Sequence, residues 1–450
     1  MSELDAPTVV RRREVVEALR RGSVPRRGLE LFAVGTERFE RAFDEDLAAI
    51  ASGRGAFKAI RGDFGCGKSF LARWVQQRAQ RMGFATAEVQ ISENDTPLHR
   101  IETVYRRAME NLRTEEWSEG AFRSLIESWF FSLEEEVIAA GTRAEDQDTF
   151  VSAVGKLLET RLAKVSAIQP QYAAVLRACH AARVREDAAT FDGLIAWLMG
   201  QPNVAATVKN KAGVKGDLDH TGAMAFLRGL LVLLKQTGRK GLVLVLDEVE
   251  TIQRIRADMR EKGLNALRQL IDDVSSEQFP GLYIVITGTP AFFDGPQGIK
   301  RLPPLAQRLH VEFGADPKFD SARAPQVRLV PFDLNRLVEV GLKIRDIYPG
   351  DAMDRVLAKV TDDVVRDLAV GVTGKLGGKT GVAPRLFLRK LVSDLLDKVD
   401  EHPDYDPRTH FSLVVEAFEM SPEEREAAGV QLRADDVALD LSKGTSDDAT

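Results

Sequence analysis

The stretch from Arg61 to Phe70 constrains the fold more than any other part of this chain. It matches the pattern G-x-x-x-x-G-K-[ST] at Gly62, Gly67, Lys68 and Ser69. The glycines allow successive backbone N–H groups to converge on phosphate oxygens, and a helix that begins at the lysine directs its positive dipole end at the same anion. We therefore expect a phosphate loop, in which Lys68 neutralises the β- and γ-phosphates of a nucleotide and Ser69 ligates Mg²⁺.

The sequence on both sides of this loop fits the strand and the helix that a phosphate loop joins. Residues Phe57 to Ile60 predict a short strand, and the apolar residues after the loop recur at helical spacing, at Leu71, Val75, Ala79 and Met82. The alternative is a glycine-rich turn that binds no ligand. The residues expected to bind the nucleotide are Gly62, Asp63, Phe64, Gly65, Cys66, Gly67, Lys68, Ser69 and Phe70.

A second motif is a buried strand that ends in two acids. The apolar run from Leu242 to Leu246 predicts a strand covered on both faces of a parallel sheet, and Asp247 and Glu248 follow it. Beside a phosphate loop, we expect Asp247 to hold the Mg²⁺ shell and Glu248 to orient or deprotonate the attacking water. The alternative is that Glu248 and Glu250 only favour the start of the next helix, where carboxylates are stabilised.

Further candidates follow the second motif. A third buried strand, Leu282 to Ile286, leads to Thr287 and Thr289, either of which could hold the attacking water. Arg308 lies on a short predicted helix after that strand, and a surface ion pair is the alternative role for it. Arg385 stands near the start of a later helix, where the alternative is a side chain that faces water.

The rest of the chain carries weaker signals. The turn at Val34 and Gly35 precedes the phosphate loop at a distance at which many ATPases place such a turn against adenine. The stretch from about 115 to 216 is predicted to be helical, with its aromatic residues in a core and not on a base-stacking surface. Residues 201–218 are expected to form a loop, and the residues beyond Met420 a short helix and then a disordered tail.

Composition narrows the class of protein. The chain has 450 residues, of which 44% are hydrophobic and 29% charged, as in a soluble protein of two or three domains. The net charge of −6 means that DNA contact would need a local basic patch or the surface of an oligomer. Cys66 and Cys179 suggest neither a disulfide framework nor a zinc site. The lack of a long apolar run or of an apolar stretch near Arg11 predicts a cytoplasmic protein with no membrane contact.

In this order, the phosphate loop, the acidic strand, the threonine-ended strand, Arg308 and a helical region with Arg385 resemble the AAA+ ATPases. The resemblance implies an α/β fold: an AAA+ type P-loop parallel sheet with flanking helices, a long helical insertion and a C-terminal helical lid. It also implies that Thr287 or Thr289 is the sensor 1 residue, Arg308 an arginine finger toward a neighbouring subunit, and Arg385 the sensor 2 residue. The implied divisions are an N-terminal arm at 1–28, a nucleotide-binding core at 29–331, a lid at 332–405 and a C-terminal helix with an acidic tail at 406–450.

A closer resemblance covers most of the chain. The segments Val16 to Pro25, Phe32 to Gly35, Ile60 to Phe70 and Ala383 to Arg389 are similar to the ATP-binding proteins called BrxD in bacteriophage-exclusion (BREX) gene clusters. This implies ATP and Mg²⁺ as cofactors and an antiphage role beside a helicase, a methyltransferase and other cluster proteins. The long insertion and the lack of an obvious winged helix depart from commoner AAA+ patterns and leave DNA contact open.

The leading hypothesis is an oligomeric ATPase that uses hydrolysis to remodel or switch a DNA-bound or protein complex. The first alternative is a nucleotide-gated switch or scaffold that turns over rarely. The second is a P-loop kinase that acts on a small molecule. The chain length, the glutamate at position 248 and the helical region after the sheet argue against the kinase.

Overall fold

A computed structural model describes residues 8–142 and 147–429. The chain divides into two compact units. The first, here called the terminal unit, comprises Met1–Gly35, Asp63–Cys66 and Val330–Thr450, and the second, here called the sheet unit, comprises Thr36–Gly62 and Gly67–Leu329. The domain boundaries expected from the sequence stay predictions, and the predicted disordered tail lies outside the described residues.

The sheet unit is built around five parallel strands in the order β2-β3-β4-β1-β5. The strands are β1 (Ala56–Arg61), β2 (Ala85–Gln90), β3 (Leu242–Asp247), β4 (Leu282–Gly288) and β5 (Gln326–Arg328). All residues of β3 and β4 are buried, as their uninterrupted apolar runs predict. The predicted α/β class is confirmed, and the parallel sheet with its many helices is consistent with an AAA+ P-loop fold.

The register of the strands decides which residues meet at the carboxyl edge of the sheet. Gln90 pairs with Asp247 across β2 and β3, and Ile60 pairs with Thr287 across β1 and β4. In open parallel sheets, ligands bind outside this edge, where the strands end. The residues that follow β1 and the last residues of β2, β3 and β4 are therefore the natural place for a site.

Helices make up most of the remaining described structure. In chain order they are α1 (Val9–Arg20), α2 (Glu37–Ala51), α3 (Lys68–Arg81), α4 (Ile101–Glu110), α5 (Ala121–Ala139), α6 (Gln147–Ile168), α7 (Pro170–Val184), α8 (Ala188–Leu198), α9 (Ala206–Lys211), α10 (His220–Gln236), α11 (Ala257–Ser275), α12 (Pro290–Asp294), α13 (Pro303–Arg308), α14 (Leu334–Ile347), α15 (Met353–Lys359), α16 (Asp362–Lys375), α17 (Pro384–Lys390), α18 (Asp397–Glu401), α19 (Pro407–His410) and α20 (Pro422–Ala428). Short 3₁₀ helices include Val249–Arg254 after β3, and a π-helix, Leu391–Leu396, joins α17 to α18. No helix among the described residues is long and apolar enough to cross a membrane.

The helices between β2 and β3 share the hydrophobic core of the sheet unit. Trp129, Phe130 and Trp197 are at most 3% exposed, which confirms that these aromatic residues form a core. Phe131 is the exception, with 54% of its surface exposed. The prediction of a loop over residues 201–218 is wrong in part, because this segment contains α9, whose Val208 packs against the core.

The terminal unit is helical. Asp333 caps α14, since its side chain accepts a hydrogen bond from the Arg336 backbone N–H at 2.8 Å. α14 packs closely on α17 because Gly341 has no side chain: a methyl group there would lie 2.6 Å from Phe387 Cζ. This packing fixes the helix that carries Arg385 within the terminal unit.

Candidate nucleotide site

The phosphate-loop sequence joins β1 to α3, as its motif predicts. Gly65 and Gly67 have φ angles of 78° and 93°, in the left-handed region that favours glycine. Gly67 is the N-cap of α3, so Lys68 is the first helical residue. The first backbone N–H groups of a helix have no partner within it, which makes this helix start suitable for binding an anion. Within the loop, Cys66 is buried and Phe64 is 36% exposed.

The side chains of the two sequence motifs meet at the carboxyl edge of the sheet. Ser69 Oγ donates a hydrogen bond to Asp247 Oδ2 at 2.8 Å. Thr287 Oγ1, which is fully buried, donates to Asp247 Oδ1. Lys68 Nζ donates to the backbone carbonyl of Gly62 at 3.1 Å. The structure thus brings together the predicted lysine, the predicted hydroxyl and carboxylate ligands, and one of the two predicted threonines.

The Ser69 hydroxyl and the Asp247 carboxylate form a donor set that fits Mg²⁺. Mg²⁺ prefers oxygen ligands and keeps several water molecules, so sites of this kind use one or two carboxylates together with substrate phosphates. In the described part of the chain, no group of three or more His, Cys, Asp or Glu side chains could hold a metal ion. A magnesium ion held by Ser69 and Asp247 would have further coordination positions for phosphate and water.

Glu248 is held in an unusual backbone conformation beside this pair. Its φ angle is 59°, and its N–H donates to Thr287 Oγ1 at 3.0 Å. It occupies the N-cap position of the 3₁₀ helix after β3, but its side chain makes no capping hydrogen bond. Glu248 Oε2 instead accepts a hydrogen bond from Gln90 Nε2 at 2.9 Å. The carboxylate thus lies at the sheet edge and makes no capping hydrogen bond, although Glu248 and Glu250 do stand at the start of the 3₁₀ helix.

The structure distinguishes the two candidate threonines. Thr287 contacts both Asp247 and the backbone of Glu248. Thr289 is 7% exposed and is the N-cap residue of α12, without a capping hydrogen bond from its side chain. Thr287 therefore has the contacts expected of a residue that aligns the acidic pair.

Glu250 is a further buried acid at this edge. Only 6% of it is exposed, and its Oε1 lies 3.9 Å from Lys68 Nζ. Burial raises the pKa of Glu250 to about 7, although the Lys68 ammonium acts in the opposite direction. The sequence suggested for it only a place near a helix start.

Arg308 lies on α13 and is paired within the sheet unit. Its Nε contacts Asp272 on α11, and its Nη1 donates to the Pro304 carbonyl at 2.8 Å. Arg268 shares the same carboxylate at 3.0 Å. The described contacts of Arg308 are those of a surface ion pair, and a role toward a neighbouring subunit stays a prediction.

The remaining predicted ligands belong to the terminal unit. Gly35, which follows Val34, has a φ angle of 75°, and the carbonyl of the preceding Ala33 accepts a hydrogen bond from Lys343 Nζ at 2.7 Å. Arg385 is bound by the Glu424 carboxylate and donates to the Glu419 carbonyl at 2.6 Å. The nucleotide contacts expected of Val34, Gly35 and Arg385 stay predictions.

Two residues of the site were not found from the sequence. Gln90 ends β2, and only the pairing of β2 with β3 places it beside Glu248. Glu250 is buried because the 3₁₀ helix turns it toward Lys68. No periodic pattern in the sequence predicts this burial. A polar residue at the end of a predicted strand is the one signal that could have drawn attention to Gln90.

A family model described as BREX system ATP-binding protein BrxC/D matches residues 9–415. This range includes every candidate site residue described above. No curated protein and no solved structure matches the chain.

Proposed function

Because this chain belongs to the family of BREX system ATP-binding proteins BrxC/D, we propose that it is an Mg²⁺-dependent ATPase of a bacterial antiphage defence system. Its hydrolysis of ATP remodels or switches a DNA-bound or protein complex, and its partners are other proteins of that system and further copies of itself. The observation that carries the proposal is the contact of Ser69 and Thr287 with the two oxygens of Asp247, beside the phosphate loop.

Binding rests on the loop and on Lys68. The N–H groups at the start of α3 and the Lys68 ammonium supply positive charge to the β- and γ-phosphates. Ser69 and Asp247 hold the magnesium ion, which neutralises charge on the phosphates when it is bound. These groups are fixed by a helix and a buried strand, so little reorganisation is needed for binding.

Hydrolysis rests on Glu248. Its carboxylate orients the attacking water and accepts a proton from it, while Thr287 holds the Glu248 backbone and the Asp247 carboxylate in place. Gln90 Nε2 fixes one oxygen of Glu248 and leaves the other for water. Arg308 of a neighbouring subunit supplies the positive charge that the transition state requires.

A steady-state assay of phosphate release, with and without DNA, tests this proposal. Wild-type protein should release phosphate in the presence of Mg²⁺, and Glu248→Gln should bind ATP with similar affinity but turn over about 10³-fold more slowly. Glu261→Gln, which changes an exposed glutamate of α11, is the matched control. Wild-type hydrolysis by Glu248→Gln would remove Glu248 from the mechanism.

A nucleotide-gated switch with slow turnover is the second candidate function. It is favoured by the ion pair that occupies one catalytic candidate, since Asp272 binds Arg308. Tight ATP binding with turnover that neither DNA nor higher protein concentration increases would support the switch and contradict the remodelling ATPase.

A further inference from the structure

Glu250 is a buried acid whose presence the fold alone does not explain. It lies in the 3₁₀ helix after β3, and neither of its carboxylate oxygens accepts a hydrogen bond from another described residue. A carboxylate buried without hydrogen bonds opposes folding. A neutral side chain of the same size would be better for stability at this position.

The cation that faces Glu250 is the phosphate-loop lysine. Glu250 Oε1 and Lys68 Nζ are 3.9 Å apart, and the two side chains are 6% and 8% exposed. Charges attract more strongly at this distance in a buried site than in water. The ammonium also donates to the Gly62 carbonyl at 3.1 Å.

ATP requires the same ammonium, because a phosphate-loop lysine neutralises the β- and γ-phosphates. Asp247 and Glu248 add further negative charge near Glu250. We propose that Glu250 is a positioning residue for Lys68. The Glu250 carboxylate competes with the phosphates of ATP for the Lys68 ammonium and thereby limits the affinity for ATP. This inference rests on the proposed ATP site.

Two neutral variants of similar size, Glu250→Gln and Glu250→Met, test the inference. The Kd values of ATP, ADP and adenosine are measured by competition with a fluorescent ATP analogue at pH 8, above the pKa of Glu250. Both variants should bind ATP and ADP roughly 3- to 10-fold more tightly than wild type, because one competing negative charge is gone. The affinity for adenosine, which has no phosphate, should not change, and KM for ATP should fall with Kd.

A matched control removes a buried carboxylate that is paired elsewhere. Asp320→Asn is suitable, since the Asp320 side chain is 8% exposed and bound to Arg328. It should leave the Kd of ATP at the wild-type value. Tighter ATP binding in this control would show that the gain follows from any lost buried charge, and would overturn the inference.

The remaining outcomes are distinct. An unchanged or higher Kd for ATP in a folded Glu250 variant overturns the role of Glu250, and so does an equal gain for adenosine. If both variants lose the folded state in a thermal melt, Glu250 is a structural residue and the inference is overturned. If wild-type protein binds no ATP, the proposed function itself is wrong.

Discussion

The carboxyl edge of the sheet and the two candidate arginines differ in how their polar groups are held. At the sheet edge, Ser69 and Thr287 contact Asp247. Asp247 and Thr287 lie on the buried strands β3 and β4, and Ser69 lies in the first turn of α3. Arg308 and Arg385 are instead bound to acids, Asp272 and Glu424. The sheet edge is arranged for its proposed task, whereas each arginine is already bound by an acid.

The two arginines also differ from each other in how deeply their ion pairs are buried. The side chains of Arg308 and Asp272 are 36% and 29% exposed, and an ion pair at such a surface contributes only about 0–1 kcal/mol. Glu424 is 4% exposed, so removal of Arg385 would leave a buried carboxylate without its cation. Release of Arg308 from Asp272 therefore requires little free energy, and release of Arg385 from Glu424 requires more.

The largest effect on ATP binding should come from the sheet edge itself. Lys68→Ala removes the ammonium that compensates the phosphate charge, and it should weaken ATP binding by more than about 100-fold. Lys211→Ala, which changes a half-exposed lysine paired with Asp187, should leave the affinity at the wild-type value. Titration with a fluorescent ATP analogue measures both, and equal affinities would contradict the assignment of the phosphate loop.

Arg308→Ala tests whether this arginine acts on a neighbouring subunit. Turnover should fall about 10³-fold with ATP binding retained. Mixing Arg308→Ala with Lys68→Ala subunits should restore part of the activity, because one interface can then combine an intact lysine with an intact arginine. Arg268→Ala removes the other partner of Asp272 and should keep wild-type turnover. A monomer at every concentration with constant turnover per subunit would exclude the trans role.

The raised pKa of Glu250 predicts how stability depends on pH. Its pKa is about 7 in the folded state against an ordinary value of 4.5, so the folded state binds the proton more tightly. The stability that protonated Glu250 contributes is fully present below pH 4.5 and is lost as the pH rises through 7. Between these values, wild type should lose about 3 kcal/mol of unfolding free energy relative to Glu250→Gln. Denaturant unfolding at pH 4.5, 6 and 8 measures this difference, and parallel curves for the two proteins would contradict it.

The smallest effect should come from Arg385→Ala. It should destabilise the terminal unit by roughly 2 kcal/mol, because the buried Glu424 loses its cation. Glu424→Gln should relieve this loss in the double variant, which thermal melts can show. The proposed phosphate contact predicts, in addition, weaker ATP binding in Arg385→Ala alone. Unchanged ATP affinity with lower stability would leave Arg385 a purely structural role.

Much of the fold followed from local patterns. β1 and β4 overlap the segments predicted for them, and β3 contains the apolar run before Asp247. The loop predicted at residues 201–218 failed, since α9 has no strong pattern of its own and is stabilised by packing of Val208 on the core. Local sequence signals are sufficient to predict an element where the segment is long and apolar. They are insufficient where a short helix depends on packing against its neighbours.

The sequence by itself predicted a phosphate loop and an acidic pair at positions 247 and 248, and it determined the parallel α/β sheet. These depend on glycine positions and apolar runs, which are properties of neighbours along the chain. Only the tertiary structure decided that Thr287 and not Thr289 contacts Asp247, that Gln90 binds Glu248, and that Glu250 faces Lys68. Gln90 and Glu248 are 158 residues apart, and their contact exists because strand order and register bring two chain segments to one edge.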